Sequence, residues 1–362
     1  MRQFKNSKIN QIARAFAFML CLFCITPAFA QEVGAESEKE QSIDMKELVF
    51  GHINDAYSWH ITTINGHHIS IPLPCIVYGQ NGLDIFSSSR LGHEGHYLEY
   101  NGYKIAEEGN NSGKIVEIAT GERPWDFSIT KNVLSLFISC GLLLWIFLTI
   151  AKMYKEKPRT RPQGIQALLE PLIVSLHDDI IKPCVGKNYK KFSAYLLTVF
   201  FFIFLNNILG IIPIFPGGAN LTGNIATTFV LALLTFLLTN IFGTKEYWKE
   251  TFWPDVPMWL KVPVPIMPII EVMGILTKPI ALCIRLFANM FAGHVMVLVL
   301  IGLIFVFSQI NIAAGGAISV LSVFLVVFMS LLECLVCFIQ AYVFTMLSAL
   351  FIGLAQVEGH EK

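Results

Sequence analysis

A single arginine interrupts a long apolar part of the chain, in the sequence Lys278-Pro279-Ile-Ala-Leu-Cys-Ile-Arg285-Leu-Phe-Ala-Asn289-Met-Phe-Ala-Gly293-His294. The apolar run covers residues 268–307, about twice the length that a helix needs to cross a bilayer. Snorkelling to the interface is the alternative, but it requires an arginine within a turn or two of the helix end, and Arg285 lies farther from both ends. A charged group at membrane depth costs several kcal/mol, which makes Arg285 a candidate functional residue.

The composition indicates a polytopic membrane protein. Of the 362 residues, 54% are hydrophobic and only 14% are charged. The formal net charge is zero, so the chain lacks the basic surplus of a nucleic-acid-binding protein. Cys334 and Cys337 have no second Cys-x-x-Cys pair near them, and the histidines of His93-Glu-Gly-His96 lack zincin spacing. We therefore expect no metal and no cofactor.

The first 128 residues have the pattern of an exported region. Residues 1–30 are typical of a cleaved secretory signal, with a basic start, a short apolar core and the small-x-small site Ala28-Phe29-Ala30; an uncleaved anchor is the alternative. In residues 31–128, β-rich pieces such as His68-Ile-Ser-Ile-Pro-Leu-Pro alternate with Gly and Asn turns. A β unit of this size is marginal alone, so we expect it to pack against a membrane domain formed by residues 129–362.

The remainder of the chain predicts an all-α membrane domain with five spans. Basic residues mark every second loop, which by the positive-inside rule places the N-terminus outside and the C-terminus in the cytoplasm. Between the first two spans, residues 164–185 have the spacing of an interfacial amphipathic helix. The spans are predicted at about 133–151, 192–214, 224–242, 268–307 and 318–354.

The last two predicted helices are too long to stand upright in a bilayer. Nearly 40 residues correspond to about 55–60 Å of helix, whereas the hydrocarbon core is about 30 Å thick. We therefore expect a hairpin that is tilted steeply, by about 60°, with a kink at Pro279. Such a hairpin offers a long flank to a partner.

Two polar pairs lie at equal distances in the sequence from the turn of this hairpin: His294 with Glu333, and Arg285 with Gln340. Residues at equal distances are expected to face each other. Arg285 and Asn289, four residues apart, share one side of their helix.

These residue types suit a proton path that a fixed charge interrupts. His294 and Glu333 can exchange a proton near neutral pH, as a water-filled relay requires. Arg285 cannot release its proton, but it attracts a carboxylate, favours the ionised form of that group and repels hydronium. The pattern predicts that a partner supplies the carboxylate. A buried ion-pair cluster that only holds the hairpin together is the alternative.

Three more polar residues are candidates for the rest of the path. Glu271 and Lys278 are seven residues apart on one helix face towards the cytoplasmic end, although Lys278 can also snorkel. Asn207 lies inside the second span and either lines a polar path or bonds helices together.

The motif Lys278-Pro279-x5-Arg285-Leu-Phe-x-Asn289-Met-x-Ala-Gly293 closely resembles the fifth-helix motif of subunit a of rotary (F-type) ATP synthases, the membrane stator channel beside the c-ring. The resemblance extends from about residue 133 to the C-terminus. It includes Phe204-Leu-Asn-Asn207 before Pro213, and Gln340-Ala-Tyr-Val-Phe in the last helix.

The resemblance implies a role for each matched residue. The essential arginine of the family falls on Arg285, its asparagine on Asn289 and its sixth-helix glutamine on Gln340. The family's His/Glu pair falls on His294 and Glu333. Its cytoplasmic-side acid falls on Glu271.

The resemblance also implies a mechanism. Protons would enter one aqueous half-channel, neutralise a c-subunit carboxylate, travel with the ring and leave by a second half-channel, while Arg285 separates the two. The implied partners are the c-ring, peripheral-stalk subunit b, the lipid bilayer and, indirectly, the catalytic head. The implied location is a bacterial inner membrane with a periplasmic N-terminus, and no ATP site is expected on this chain.

The sequence departs from the family at two places. Some members carry an acid where Gly210 stands, so the path near Asn207 is expected to rely on amides and water. The β-rich region lies outside the common family core and has no assigned role.

Three alternatives remain at this point. One is a Na⁺-coupled version of the same subunit. Another is a secondary transporter in which Arg285 binds an anionic solute, but this class predicts inverted repeats, and the arginine segment has no second copy. The last is a signalling or structural anchor, which needs no ionisable pairs in register.

Overall fold

The computed structural model describes residues 55–356, except 65–66, 81, 94–95, 107–110, 157–163, 213–216, 253–265 and 311. The expected signal sequence, residues 1–30, lies outside the described residues, as do the side chains of His93 and His96. The chain divides into two compact units. One contains Thr62–Ile69 and Val295–Leu332, and the other contains the remaining described residues, including every candidate site residue.

The described residues before the helices form short antiparallel β-sheets. Strands β3 and β4 pair from Pro74↔Ser87 to Gly79↔Gly82, and β9 pairs with the other edge of β3. Along β3, Cys75 and Val77 are fully buried while their neighbours are not, as the period of two in a half-buried strand requires. The strands are β1 (Ser58–Ile64), β2 (His67–Pro72), β3 (Pro74–Gly79), β4 (Gly82–Ser87), β5 (Gly92–His93), β6 (His96–Tyr97), β7 (Tyr103–Ile105), β8 (Ile115–Glu117) and β9 (Trp125–Asp126).

This β-rich region has a small core of its own. Tyr57 is buried in it, and its hydroxyl donates a hydrogen bond to Asp126 and accepts one from the Ile115 amide at 3.4 Å. Burial and the neighbouring Asp126 carboxylate raise the pKa of the Tyr57 hydroxyl, so it remains a donor at all ordinary pH values. The other core members are Cys75, Val77, Phe86, Leu91, Tyr103, Ile105 and Ile115.

The rest of the described chain is helical. Between the second and third helices, the chain continues through a π-helical turn (Leu176–Ile181) and a short helical turn (Lys182–Val185), and it breaks at Gly186, where φ is 75°. The helices are α1 (Lys131–Glu156), α2 (Ile165–Ser175), α3 (Tyr189–Ile211), α4 (Ile225–Ile241), α5 (Lys245–Phe252), α6 (Ile266–Ile310) and α7 (Ile312–Ala355).

The number of candidate spans agrees with the prediction. Four helical stretches in the described residues are long and apolar enough to cross a membrane, and α4 with α5, bent by 102°, makes a fifth if the pair is one span. Helices α6 and α7 have 45 and 44 residues, and α6 continues without interruption through Pro279. Residues 165–185, within the expected interfacial helix, are helical, and together with α3 they form one apolar stretch, Ile165–Ile211. The tilt and the kink remain predictions.

The helices pack through apolar, small and hydroxyl-bearing side chains. The core surrounds α3, where Phe200 lies in contact with Phe204 and Phe338. Tyr195 of α3 hydrogen-bonds Thr235 of α4 at 2.9 Å, as expected for helices that associate by close packing and polar contacts rather than by a hydrophobic effect. A Cβ at Gly353 would lie 1.9 Å from the Cys184 carbonyl oxygen, so only glycine permits this approach of α7.

Candidate functional site

The predicted contact between α6 and α7 is present at His294 and Glu333. The ring Nδ1 of His294 lies 2.9 Å from Glu333 Oε1, and the two side chains are only 17% and 8% exposed. The same Nδ1 lies 3.0 Å from the Met290 carbonyl oxygen, and Nε2 lies 3.2 Å from the Gly210 carbonyl oxygen of α3. Both ring nitrogens therefore face oxygen atoms that accept hydrogen bonds, so either nitrogen can donate when it carries a proton.

The Glu333 carboxylate keeps one acceptor free. Oε1 lies 2.9 Å from His294 Nδ1 in an ion-pair contact, but it is buried and has no hydrogen bond from the described residues. Because a buried carboxylate oxygen is costly without a donor, this atom is suited to receive a proton or a water molecule.

Two glycines give this pair its room. A Cβ at Gly293 would lie 2.8 Å from Glu333 Oε1, so a larger residue there would displace the carboxylate. A Cβ at Gly210 would lie 3.7 Å from His294 Cε1, an ordinary contact distance. A side chain at position 210 would therefore touch the ring, but in this chain only the carbonyl oxygen does so.

Asn207 lies near this pair, in a set of buried amides at the end of α3. Its side chain is completely buried, and its Oδ1 accepts a hydrogen bond from Thr222 Oγ1 at 2.7 Å, whereas its Nδ2 has no partner among the described residues. Asn220 repeats the pattern, because its Oδ1 accepts from the Gly223 backbone amide at 2.8 Å and its buried Nδ2 has no partner in the described part of the chain. Unpaired buried donors cost about 1–3 kcal/mol each, so these amides are suited to bind water.

Arg285 and Asn289 lie in a different environment. Both are exposed on α6, and no hydrogen bond or ion pair joins Arg285 to another described residue. The exposed side of the helix around them carries the small residues Ala281, Ala288 and Ala292. Small residues allow the backbone of a neighbouring helix to approach closely.

The predicted pairing of Arg285 with Gln340 is not formed by hydrogen bonds. Gln340 is only 5% exposed, and no hydrogen bond connects it with Arg285 in the described part of the chain. The reason is helical geometry: the nine residues from Arg285 to His294 correspond to about two and a half turns. Because His294 faces α7, Arg285 lies on the opposite side of α6 and faces away from α7.

Lys278 and Glu271 lie apart from both groups. Lys278 is half-buried, and its Nζ lies 5.6 Å from the centre of the Phe351 ring. It lines a cavity of about 20 Å³, large enough for one water molecule, together with polar residues that include Thr239 and Asn240. Glu271 is exposed on α6. The structure brings neither residue into contact with the His294–Glu333 pair.

Sequence reasoning missed three parts of this site: Thr222, Asn220 and the Gly210 carbonyl oxygen. Asn220 and Thr222 could have been found from the sequence, because uncharged polar residues cluster between the second and third predicted spans, in Asn220-Leu-Thr222-Gly-Asn224. A backbone carbonyl that contacts a distant histidine leaves no such signal.

These features define a class: a multi-pass membrane protein with a buried His–Glu pair inside its helical domain and an exposed arginine that has no partner among the described residues. A family model described as ATP synthase A chain matches residues 133–353. A second model, described as a domain of unknown function (DUF8433), matches residues 48–132. The chain belongs to the ATP synthase A chain family.

Several relatives named ATP synthase subunit a support this assignment. The protein of Chlorobium phaeobacteroides (strain BS1) is 41% identical over 100% of this chain and 98% of its own length. The protein of C. phaeobacteroides (strain DSM 266) is 42% identical over 74% of this chain and 75% of its own length. That of Myxococcus xanthus (strain DK1622) is 39% identical over 65% of this chain and 75% of its own length. The chain is therefore a membrane-sector subunit with a role in ion transport and ATP synthesis.

Proposed function

We propose that this chain carries protons between the c-ring and the two sides of the membrane, through two aqueous half-channels that Arg285 separates. The observation that carries the proposal is the division of polar groups on α6. A buried pair, His294 with Glu333, lies on one side of this helix. Arg285 lies on the other side, is exposed and has no hydrogen bond or ion pair with another described residue. The proposal requires this division, because a proton relay must lie inside the chain and the charge that separates the half-channels must lie at the surface that meets the c-ring.

The arginine side fits a partner that carries a carboxylate. An exposed guanidinium in an apolar span costs several kcal/mol unless an anion or water meets it. The small residues beside Arg285 allow a ring of helices to pass within reach of the guanidinium. A passing carboxylate would lose its proton near Arg285 and would be neutralised again before it leaves for lipid. Asn289, on the same face, would contact the same partner, and Gln340 would border the interface from α7.

The relay side fits the half-channel that delivers protons from the exported side. Protons would pass by water between the amides of Asn207 and Asn220 and reach the His294–Glu333 pair, from which they would load the ring carboxylate. Lys278 and Glu271 would belong to the second half-channel, which opens to the cytoplasm. The imidazole of His294 favours H⁺ over Na⁺ as the coupling ion, because it transfers protons and does not bind Na⁺ well.

The remaining parts of the proposal concern the assembly. The chain would hold the c-ring and peripheral-stalk subunit b in a bacterial inner membrane, and it would act on the catalytic head only indirectly. Its N-terminus would lie in the periplasm and its C-terminus in the cytoplasm, as the basic loops predict.

Purification of a tagged chain from its native membrane tests the proposal. We expect c-ring and catalytic subunits to copurify, and we expect the reconstituted complex to acidify vesicles on addition of ATP at the same rate with and without Na⁺. A pumping rate that depends on Na⁺ would contradict the proton assignment. A chain that purifies alone and binds an anionic solute would contradict the stator role.

A further inference from the structure

A polar cavity lies where the β-rich region meets the membrane helices. It has a volume of about 310 Å³, enough for about ten water molecules. The β-rich region, helix α1 and the segment between α3 and α4 all contribute to it. Its lining residues are Asp55, Ser112, Gly113, Lys114, Asn132, Asn220 and Asn224.

The walls of this cavity are fixed by hydrogen bonds. In the first turn of α1, the backbone N–H of Asn132 donates a hydrogen bond to Asp55 Oδ1 at 3.1 Å. The backbone N–H of the preceding residue, Lys131, donates to the Ala56 carbonyl oxygen at 2.9 Å. Asn224 caps α4, since its Oδ1 accepts from the Ala226 amide at 3.0 Å. The cavity is therefore a built feature of the fold.

The chemistry of the lining suits water. Every lining residue is polar or glycine, and the charged members, Asp55 and Lys114, have opposite charges. The formal charge of the lining is therefore zero, so the wall does not repel hydronium strongly. Asn132 and Asn220 are 8% and 7% exposed, and the Asn220 Nδ2 has no partner among the described residues. A buried amide donor beside a polar cavity is a site for water.

Polar groups connect the cavity with the relay pair. Asn220 lies at the cavity, and Thr222, two residues further, donates to Asn207 on α3. One turn beyond Asn207, the Gly210 carbonyl oxygen is 3.2 Å from His294 Nε2. Buried polar atoms therefore occur at each stage from the cavity to the His294–Glu333 pair.

We propose that this cavity is the outer vestibule of the proton path, and that the β-rich region serves to form its wall. The proposal rests on the proposed function and extends it to a region of the chain that had no role. The ligand is water that carries protons, and the residues from the β-rich region are Asp55, Ser112, Gly113 and Lys114. The relative from strain BS1 matches the whole chain, so it has a counterpart of this region as well.

Cysteine labelling of the complete complex tests the vestibule. Lys114→Cys places a thiol on the cavity wall, whereas the matched variant Lys104→Cys places one on an exposed position of β7 that does not line the cavity. The purified complex is treated in detergent with a bulky, charged methanethiosulfonate reagent and then reconstituted, and ATP-driven proton pumping is measured. Burial raises the pKa of the Cys75 thiol to about 11, which keeps this native cysteine unreactive. Labelled wild type gives the baseline for the remaining cysteines.

The proposal predicts that labelling of Lys114→Cys lowers its pumping rate at least about threefold, and that reduction with dithiothreitol restores the rate. Labelled Lys104→Cys should pump at the rate of labelled wild type. Ser112→Cys, on the same wall, should respond like Lys114→Cys. Full pumping by both labelled wall variants would overturn the vestibule and leave the proposed function intact. If the untreated wild-type complex does not pump protons, the proposed function fails instead.

Discussion

The two sides of α6 place its polar residues in different environments. On one side, His294 is enclosed by oxygen atoms of Met290, Gly210 and Glu333. On the other, Arg285 is exposed and has no hydrogen bond within the described chain. A group that passes protons needs fixed neighbours, and a group that meets a moving partner needs none. In the proposed mechanism, this contrast places the relay and the barrier on one helix, about two and a half turns apart.

The largest effect is expected from Arg285→Lys. The charge is retained, but a lysine can lose its proton in an apolar environment and lacks the planar fork that binds a carboxylate with two hydrogen bonds. We expect ATP-driven pumping to fall to background in reconstituted vesicles, with the complex still assembled. Pumping above half of the wild-type rate would show that any cation suffices, and the barrier side of the comparison would need revision.

Exchange of the relay partners tests the other side. We expect His294→Glu and Glu333→His each to lower pumping by about tenfold or more, because each leaves two like groups facing each other. The double variant restores a His–Glu pair and should pump faster than either single variant. If the double variant is the slowest of the three, the two residues do not act as a pair.

A smaller effect is expected from Gly293→Ala. The added methyl group would lie 2.8 Å from Glu333 Oε1, so the carboxylate must shift from its position beside His294. We expect a loss of pumping of about two- to fivefold, which corresponds to roughly 0.4–1 kcal/mol in the barrier. Gly274→Ala on the same helix is the matched control, because no atom lies within 4 Å of its added Cβ. Equal effects of the two variants would exclude the steric explanation.

The smallest effect is expected at Thr222. Thr222→Val removes the hydroxyl that donates to Asn207 and leaves another buried amide atom unpaired, whereas Thr222→Ser keeps the donor. We expect Thr222→Val to reduce the rate about twofold or more, and Thr222→Ser to remain near wild type. A similar loss in both variants would indicate that packing of the methyl group matters and that the hydroxyl does not.

The sequence predicted the parts of this molecule that depend on length and periodicity. Two long apolar runs predict the long helices α6 and α7, although α7 begins at Ile312, before the predicted start at about 318. The contact of His294 with Glu333 follows from their equal distances to the turn. The same rule led us to expect Arg285 and Gln340 to face each other, and no hydrogen bond joins them in the described chain. Distance from a turn sets the level along a helix and not the direction around it.

The parts that the sequence could not predict depend on loops and on backbone atoms. The contact of the Gly210 carbonyl oxygen with His294 requires the position of α3 beside α6, which no local pattern contains. The cavity between the β-rich region and the helices requires the path of three separate segments. Its lining residues are ordinary turn and cap residues when they are considered one at a time.

The most direct test of the central claim is ATP-driven proton pumping by the complex that carries Arg285→Ala. We predict a complex that assembles, retains ATP hydrolysis in its catalytic head and pumps no protons, because nothing separates the two half-channels. Lys152→Ala is the matched control, since it removes a cation whose side chain is 74% exposed at the end of α1, and it should pump at the wild-type rate. Normal pumping by Arg285→Ala would contradict the account.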